Sequence, residues 1–186
     1  MKPARDAELE GEVYENESFR GLDLSGLRTT RCTFRACDFT LAQLNASEHV
    51  GTDFANSIFE TANLFGASFA ECRLVGASFA GATLTGLTVE GGDWSYALLR
   101  GQDLTGLDLQ RLRLREADLS ETNLTDADLR GADLTRARLH NAILAGADLR
   151  ETRLDGVDLS AARVAEARLD LGGAVQLARS LGALLE

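Results

Sequence analysis

The sequence predicts an all-β fold in which a square coil of twenty residues repeats along a rod. From Phe19 to Leu169 a large apolar residue occupies nearly every fifth position, and the two exceptions among these 31 positions are Thr29 and His49. A period of five fits neither the 3.6-residue period of a helix nor the two-residue period of a strand. The chain therefore cannot lay one continuous face of either element on a core.

We call the large residue the core position, the residue before it the outward position and the residue two before it the small position. Core and small side chains share a face while the outward side chain points away, as in three residues of extended chain. The two residues after the core position turn a corner, and four such sides close one coil of twenty residues. Successive coils can then stack at the roughly 4.8 Å spacing of neighbouring strands. Small residues occupy the small position at Ala62, Ala67, Cys72, Ala77, Ala82, Ala117, Ala127, Ala132, Ala137, Ala142 and Ala147.

Both ends of the rod need a cap because each coil contacts only its neighbours. Residues 1–16 are polar and acidic, which predicts a polar segment or an irregular first coil, although Leu9 and Tyr14 keep the five-residue phase. The coils are expected over 17–171. A capping or dimerisation helix, with its apolar stripe buried against the last coil or against a second copy, is expected over 172–186, with Asp170 capping its start and Gly182 ending its last turn. Its apolar stripe consists of Ala174, Val175, Leu177, Ala178, Leu181, Leu184 and Leu185.

Composition narrows the possible functions. The formal net charge is -10, so nonspecific binding to nucleic acid or to an anionic membrane is disfavoured and a basic partner is favoured. No apolar run approaches the eighteen residues of a membrane span, and the first residues have no signal-peptide pattern. We therefore expect a cytoplasmic protein.

No catalytic or metal-binding pattern is present in the sequence. A column filled by its own Leu and Phe side chains leaves no cleft for an enzyme active site. His49 and His140 occupy different phases of the repeat, one inward and one outward, so they do not form a ligand pair. Cys32, Cys37 and Cys72 occupy the small position, where a free cysteine packs as a compact hydrophobe. We expect no catalytic residues, disulfide, metal or cofactor.

Two places in the repeat are expected to be irregular. Thr29 and His49 lie one coil apart on one side, and a polar residue at a core position predicts a local break, with His49 turned to solvent or to a hydrogen-bond partner. A buried but hydrogen-bonded histidine is the alternative. Gly92 is expected to make room beside Trp94.

Charge is distributed unevenly over the four faces. The first face (core positions Phe19, Phe39, Leu119) holds six acids and three Arg, and the second (Leu24, Leu44, Leu124) holds four acids and one Arg. The third (Leu129) and fourth (Leu134) together hold thirteen acids and twelve Arg. The rod thus has an acidic half and a mixed half. Eleven of the fifteen Asp occupy the outward position, where they can hydrogen-bond corner amides: residues 23, 38, 53, 93, 103, 108, 118, 128, 133, 148 and 158.

Units such as 117–121, Ala-Asp-Leu-Ser-Glu, and 132–136, Ala-Asp-Leu-Thr-Arg, resemble the pentapeptide-repeat family, whose fold is a right-handed quadrilateral β-helix. The resemblance covers about residues 17–171 in one register. The segment from Asp23 to Phe39, the loop-free coils and the ending from Ala167 to Gly182 look like the MfpA branch of the fluoroquinolone-resistance proteins. The related Qnr branch carries projecting loops, for which this unbroken register leaves no room.

The resemblance implies a homodimer joined through the C-terminus that imitates B-form DNA, occupies the DNA-binding saddle of DNA gyrase, and inhibits or protects the enzyme. The expected dimer contacts are Val175, Leu177, Leu181 and Leu184, and the expected partner-binding acids are Asp103, Asp118, Glu121, Asp126, Asp158 and Glu166. Neither direct nucleic-acid binding nor membrane binding is implied. The alternatives are an interaction scaffold with another partner, and gyrase immunity against a toxin.

Overall fold

The computed structural model describes residues 2–184 and contains short parallel strands followed by one helix. The strands are β1 (Glu8–Glu10), β2 (Val13–Glu15), β3 (Arg28–Thr30), β4 (Thr33–Arg35), β5 (Glu48–Val50), β6 (Ser68–Ala70) and β7 (Thr88–Glu90). One sheet has the order β1-β3-β5-β6-β7 and the other is β2-β4. Each pair is offset by twenty residues, as in Glu8 opposite Arg28.

Parallel bridges at the same twenty-residue offset join most of the later coils, from Ser18–Asp38 to Asp148–Arg168. The fold is the predicted right-handed quadrilateral β-helix. Core and small positions are buried along most of the rod, with exposures of 0% at both Phe19 and Leu149, and the last coil is only partly buried, as at Val164 and Leu169. Because the strands are three residues long and stack only on neighbouring coils, nearly all stabilisation comes from this column and its ladders.

The corners have a recurring backbone conformation. The second residue after each core position has a positive φ from Asp6 to Glu166, with Ala161 as the exception. At many corners the next amide donates to the core residue's carbonyl, as from Leu22 to Phe19 at 3.1 Å. Glycine and asparagine suit this left-handed conformation, and glycine fills it at many corners.

The core changes composition along the rod. Phe19, Phe39, Phe59 and Phe79 stack face to face with centroid separations of 4.9, 5.0 and 5.1 Å. Trp94 then stacks on Phe79 at 5.4 Å. Leucine fills the core from Leu99 to Leu159.

The expected break at Thr29 and His49 is wrong. Thr29 pairs with His49 and His49 with Phe69 in an unbroken ladder, and both polar side chains are 1% exposed. The Thr29 hydroxyl lies 2.8 Å from His49 Nδ1, and the Ser47 hydroxyl lies 3.0 Å from Nε2. Because both ring nitrogens have partners, the imidazole can replace an apolar core residue without a break.

Regular secondary structure is present at both ends of the rod. β1 and β2 pair in register with β3 and β4, and Leu9 and Tyr14 pack against the core. Helix α1 spans Leu171–Ser180, so it is shorter than the predicted range, and Leu181 and Leu184 lie beyond it. Leu185 lies outside the described residues.

The predicted capping residues of α1 are confirmed. Asp170 Oδ1 accepts a hydrogen bond from the Gly173 amide at 2.9 Å. Gly182, with φ of 86°, donates to the Arg179 carbonyl at 2.9 Å.

Gly92 has a different neighbour from the one expected. A Cβ at Gly92 would lie 2.3 Å from the Cys72 carbonyl oxygen, so glycine is needed for backbone approach rather than for room beside Trp94. Cys32, Cys37 and Cys72 are free and buried, as predicted.

Candidate functional site

All eleven outward aspartates hydrogen-bond the backbone at their own corner. Each Oδ1 accepts from the amide two residues further on, at 2.8–3.2 Å, as Asp158 does from Ser160 at 2.8 Å. This contact fixes the carboxylate and leaves Oδ2 directed outward. The aspartate ladder is therefore structural in origin, and the positions of neighbouring arginines decide which carboxylates can attract a partner.

On the fourth face, acids and arginines form ion pairs with one another. Its outward positions alternate Asp and Arg along the rod, and the ion pairs Asp53–Arg73, Asp93–Arg113 and Asp133–Arg153 measure 3.2, 3.5 and 3.9 Å. Opposite charges on neighbouring strands favour this register, and their fields cancel within a Debye length.

The C-terminal half of the third face is also paired. Asp148 lies 2.5 Å from Arg150, 3.9 Å from Arg130 and 4.0 Å from Arg168. The hydrogen bond from Arg150, followed by the Arg150 amide and the arginine charges, lowers the pKa of Asp148 to about 2. An acid held in this way has little capacity to attract a further cation.

The first face is less acidic than its count of acids suggests. Asp118 lies 3.8 Å from Arg138, and Glu121 lies 3.7 Å from Arg100. Partial burial acts to raise the pKa of Asp118, but hydrogen bonds from Ser120 and the charges of Arg138 and Arg100 outweigh it, so this pKa is lowered. Both carboxylates were expected to contact a partner, and both already face an arginine.

The second face carries acids without arginine partners. Among the described residues no ion pair involves the acids of this face or its single arginine, Arg163. Its acids are Asp23, Asp103, Asp126 and Glu166, and all four are exposed. Of the other expected contacts, Asp158 on the first face is exposed and also lacks an ion pair in the described chain.

The expected dimer residues divide into two groups. Leu177 is half-buried and packs against the core, and Val175 is half-buried. Leu181 is 68% exposed and Leu184 is 95% exposed, next to Leu171 at 82%. The exposed group leaves apolar side chains in water after the last coil, and Leu177 belongs to the cap of the single chain.

Two helix side chains that the sequence analysis did not identify close the last coil. Gln176 Nε2 donates to the Val157 carbonyl at 2.7 Å, and Ser180 Oγ accepts from the Leu159 amide at 3.0 Å. In most coils these backbone groups bond to the next coil, as the Phe19 amide does to Asp38. The helix thus replaces a further coil with two side chains. Only their polarity beside an apolar stripe could have indicated this role.

The surface of the described chain has open grooves. A groove of about 390 Å³ on the first face is lined by Arg100, Arg138 and His140 with Asp158. Over residues 2–184 no cluster of three or more His, Cys, Asp or Glu side chains is arranged to hold a metal ion. Within the same range, no helix has the length and apolar character needed to cross a membrane.

Comparisons with known proteins agree with this architecture. MfpA from Mycolicibacterium smegmatis is 39% identical over 54 residues, and MfpA from Mycobacterium tuberculosis is 41% identical over 52 residues. Each match covers only 28% of the length of the relative and 29% or 28% of this chain.

Solved structures of QnrB1 share the fold. A trypsin-treated variant, described as a plasmid-mediated fluoroquinolone resistance protein, superposes with a TM-score of 0.84 at 24% identity, covering 98% of this chain and 91% of that one. A second trypsin-treated variant gives a TM-score of 0.68 at 22% identity, covering 97% and 100%.

The family described as Pentapeptide repeats matches in overlapping segments: 62–93, 88–120, 95–131, 122–160 and 132–170. Together these segments run without a gap from 62 to 170, which is more than half of the chain. With the five-residue register seen in the structure, this match shows that the chain belongs to the pentapeptide-repeat family.

Proposed function

We propose that this protein is a DNA-mimicking binder of DNA gyrase, which inhibits or shields the enzyme and thereby lowers susceptibility to fluoroquinolones. The observation that carries the proposal is the second face, where the acids have no arginine partner along a loop-free rod. The local similarity to MfpA and the fold shared with QnrB1 support the choice of target.

The physical argument is electrostatic. A site built for DNA is lined with basic residues, and it attracts a rigid rod that presents unpaired carboxylates. Within the coils the rod carries 23 acids and 16 Arg, which gives a net charge of -7. Duplex DNA carries one charge per about 1.7 Å, or roughly twenty over the same height. The mimicry is therefore partial in charge, and the arrangement of a few unpaired acids matters more than the total.

The exposed leucines at the C-terminal end support the second part of the proposal. Leu171, Leu181 and Leu184 leave apolar area in water at the end of the rod. Burial of that area against a second copy would double the length of the acidic rod. The dimer is accordingly part of the proposed binding form.

The test is a supercoiling assay with purified gyrase and relaxed plasmid, with the protein titrated at several salt concentrations. We expect inhibition that weakens as ionic strength rises, because the contacts are between exposed charges. Quinolone-stabilised cleavage measured in parallel separates shielding from simple inhibition. Absence of any effect on gyrase at low salt would overturn the proposal and favour an interaction scaffold with another partner.

A further inference from the structure

The hydrogen-bond ladder between coils is interrupted in the middle of the rod. In the regular ladder each core amide donates to the next coil, as from Leu64 to Thr83 at 2.9 Å. On the second and third faces of the described chain, no backbone hydrogen bond joins residues 81–91 to residues 100–110. The amides that lack this bond are those of Gly81, Leu84, Gly86, Val89, Gly91, Asp103 and Asp108.

The strand pairing shows the same interruption. Asn63 bridges Thr83, and Asp103 bridges Asn123, but within residues 2–184 no bridge joins Thr83 to Asp103. The corresponding bridge on the third face, from Thr88 to Asp108, is likewise missing from the described chain. We call this region, between 81–91 and 100–110, the mid-rod gap.

The opposite edge of the rod is intact at the same level. On the fourth face the Trp94 amide donates to Arg113 at 2.7 Å and the Tyr96 amide to Arg115 at 2.8 Å. On the first face Leu98 donates to Ala77 at 2.9 Å. The two coils are therefore joined along one edge and separated along the other, which is the arrangement of a hinge.

Trp94 gives the physical cause. It is the single tryptophan of the chain, and it reaches from the fourth face across the core to stack on Phe79 and to meet Phe69 edge-on at 5.8 Å. A double ring occupies a position where other coils place a single phenylalanine ring or a leucine, so it separates the coil above from the coil below. Its Nε1 is buried and, among the described residues, the one such side-chain nitrogen or oxygen with no hydrogen-bond partner.

At the corners of the second face no side chain of the described chain bridges the gap, and the nearest side-chain link between the two coils is from Gln102 Nε2 to the Phe79 carbonyl at 2.7 Å, beside the first face. At several other corners a side chain leans over the next coil, as Thr61 does over Gly81 with its methyl group 3.3 Å from a Cβ built there. Across the gap, Gly81 precedes Gly101 and Gly86 precedes Gly106. The core residues beside the gap are also more exposed, with Ala82 at 9% and Val89 at 7% against 0% for Ala77 and Leu74.

We propose that the mid-rod gap is a joint about which the two halves of the rod bend, with the hinge along the edge between the fourth and first faces. Bending changes the curvature of the second face, which carries Asp23 on one side of the joint and Asp103 on the other. One rod can then adapt to partner surfaces of different curvature. That consequence rests on the proposed function, but the joint itself does not and is tested on the free protein.

Hydrogen exchange tests the interruption directly. The amides of Leu84 and Gly86 should exchange at least about 100-fold faster than those of Leu64 and Gly66, which occupy the same positions one coil earlier. Equal protection at the two levels would overturn the proposal.

Trp94→Leu should slow exchange at Leu84 and Val89, because a leucine lets the coils close. Unchanged fast exchange in a folded Trp94→Leu protein would contradict the assigned cause.

Disulfide trapping tests the movement. Thr83→Cys with Asp103→Cys places thiols across the gap, and Asn63→Cys with Thr83→Cys places them across an intact pair as the matched control. Neighbouring strands hold Cα atoms within disulfide range. We expect the gap pair to cross-link fully but at least about tenfold more slowly than the control, since closure must precede the reaction. Cross-linking as fast as in the control, or none at all, would contradict a joint that opens and closes.

Discussion

The Thr29 hydroxyl lies 2.8 Å from His49 Nδ1 inside the apolar column, one coil below the imidazole. Ser47 faces the other ring nitrogen at 3.0 Å. Phe54 meets the ring edge-on at 5.0 Å, and Phe69 lies above it at 4.8 Å. Burial in these surroundings lowers the pKa of His49 from 6.5 to about 3, so the ring is neutral in the folded protein at ordinary pH.

This environment predicts a pH dependence of stability. The unfolded chain takes up a proton near pH 6.5 and the folded protein does so only near pH 3. The contribution of the neutral ring is therefore complete above pH 6.5 and is lost as the pH falls toward 3. At pH 5 the free energy of unfolding should be lower by about 2 kcal/mol. Urea unfolding at pH 7.5, 6 and 5 measures this slope.

His49→Phe is the matched variant, because phenylalanine fills the neighbouring core positions and does not titrate. Its stability should change little between pH 7.5 and pH 5 because the titrating ring is gone. The variant should still fold, since Thr29 keeps a hydroxyl partner in Thr52 at 3.0 Å. If the slope were the same in both proteins, another group would be responsible for it.

Leu119→Asp should unfold the central coils. Leu119 is 0% exposed, so an unpaired carboxylate would enter a dry column at a cost of about 4 kcal/mol or more. The control, Asp118→Asn, keeps an oxygen to accept from the Ser120 amide and should cost under about 1 kcal/mol. Thermal melting compares the two. A Leu119→Asp protein that melts within a degree or two of the parent would disprove the inward assignment.

The leucines beyond α1 should control assembly without affecting the fold. Leu181→Glu with Leu184→Glu changes two exposed side chains and should yield a monomer with nearly the parental melting temperature. Leu177→Glu should lower the melting temperature as well, because Leu177 packs against the core. Light scattering with melting curves separates these effects. A stable dimer from the first double variant would place the interface elsewhere.

Neutralising the second face should weaken gyrase inhibition more than neutralising the paired acids. We expect Asp103→Asn, Asp126→Asn and Glu166→Gln together to reduce inhibition at least about tenfold, with little change in stability because exposed charges contribute little. The matched control is Asp53→Asn, Asp93→Asn and Asp133→Asn on the fourth face, where each acid faces an arginine. Equal losses from both sets would indicate only a general effect of charge.

Asp118 and Glu121 form an intermediate case. Their neutralisation frees Arg138 and Arg100, so it adds unpaired positive charge to the first face. Gyrase inhibition should therefore fall by more than the loss of the two negative charges alone would cause. Restoration of inhibition by adding Arg100→Gln to Glu121→Gln would identify the arginine as the cause, and failure to restore it would assign the loss to Glu121 itself.

The repeat by itself determined the coil, its four faces and its inward columns. A five-residue period permits only one assignment of Leu119 to the core and Asp118 to the outside, because each residue's direction follows from its place in the unit. The same local chemistry made Asp170 and Gly182 recognisable as the two ends of a helix. These features depend on neighbours along the chain, which a sequence displays directly.

Contacts between coils were decided only by the tertiary structure. Whether Arg138 reaches Asp118, or Arg100 reaches Glu121, depends on the direction in which long side chains lean across a 4.8 Å step, and residue counts for each face do not contain that information. Likewise, the core accommodates His49 because the hydroxyl of Thr29, one coil below, and the hydroxyl of Ser47, two residues earlier, are hydrogen-bond partners of its two ring nitrogens. The mid-rod gap arises because the wide ring of Trp94 lies inside one coil and holds the next coil away. The local sequence pattern does not show this effect, because it depends on packing between coils.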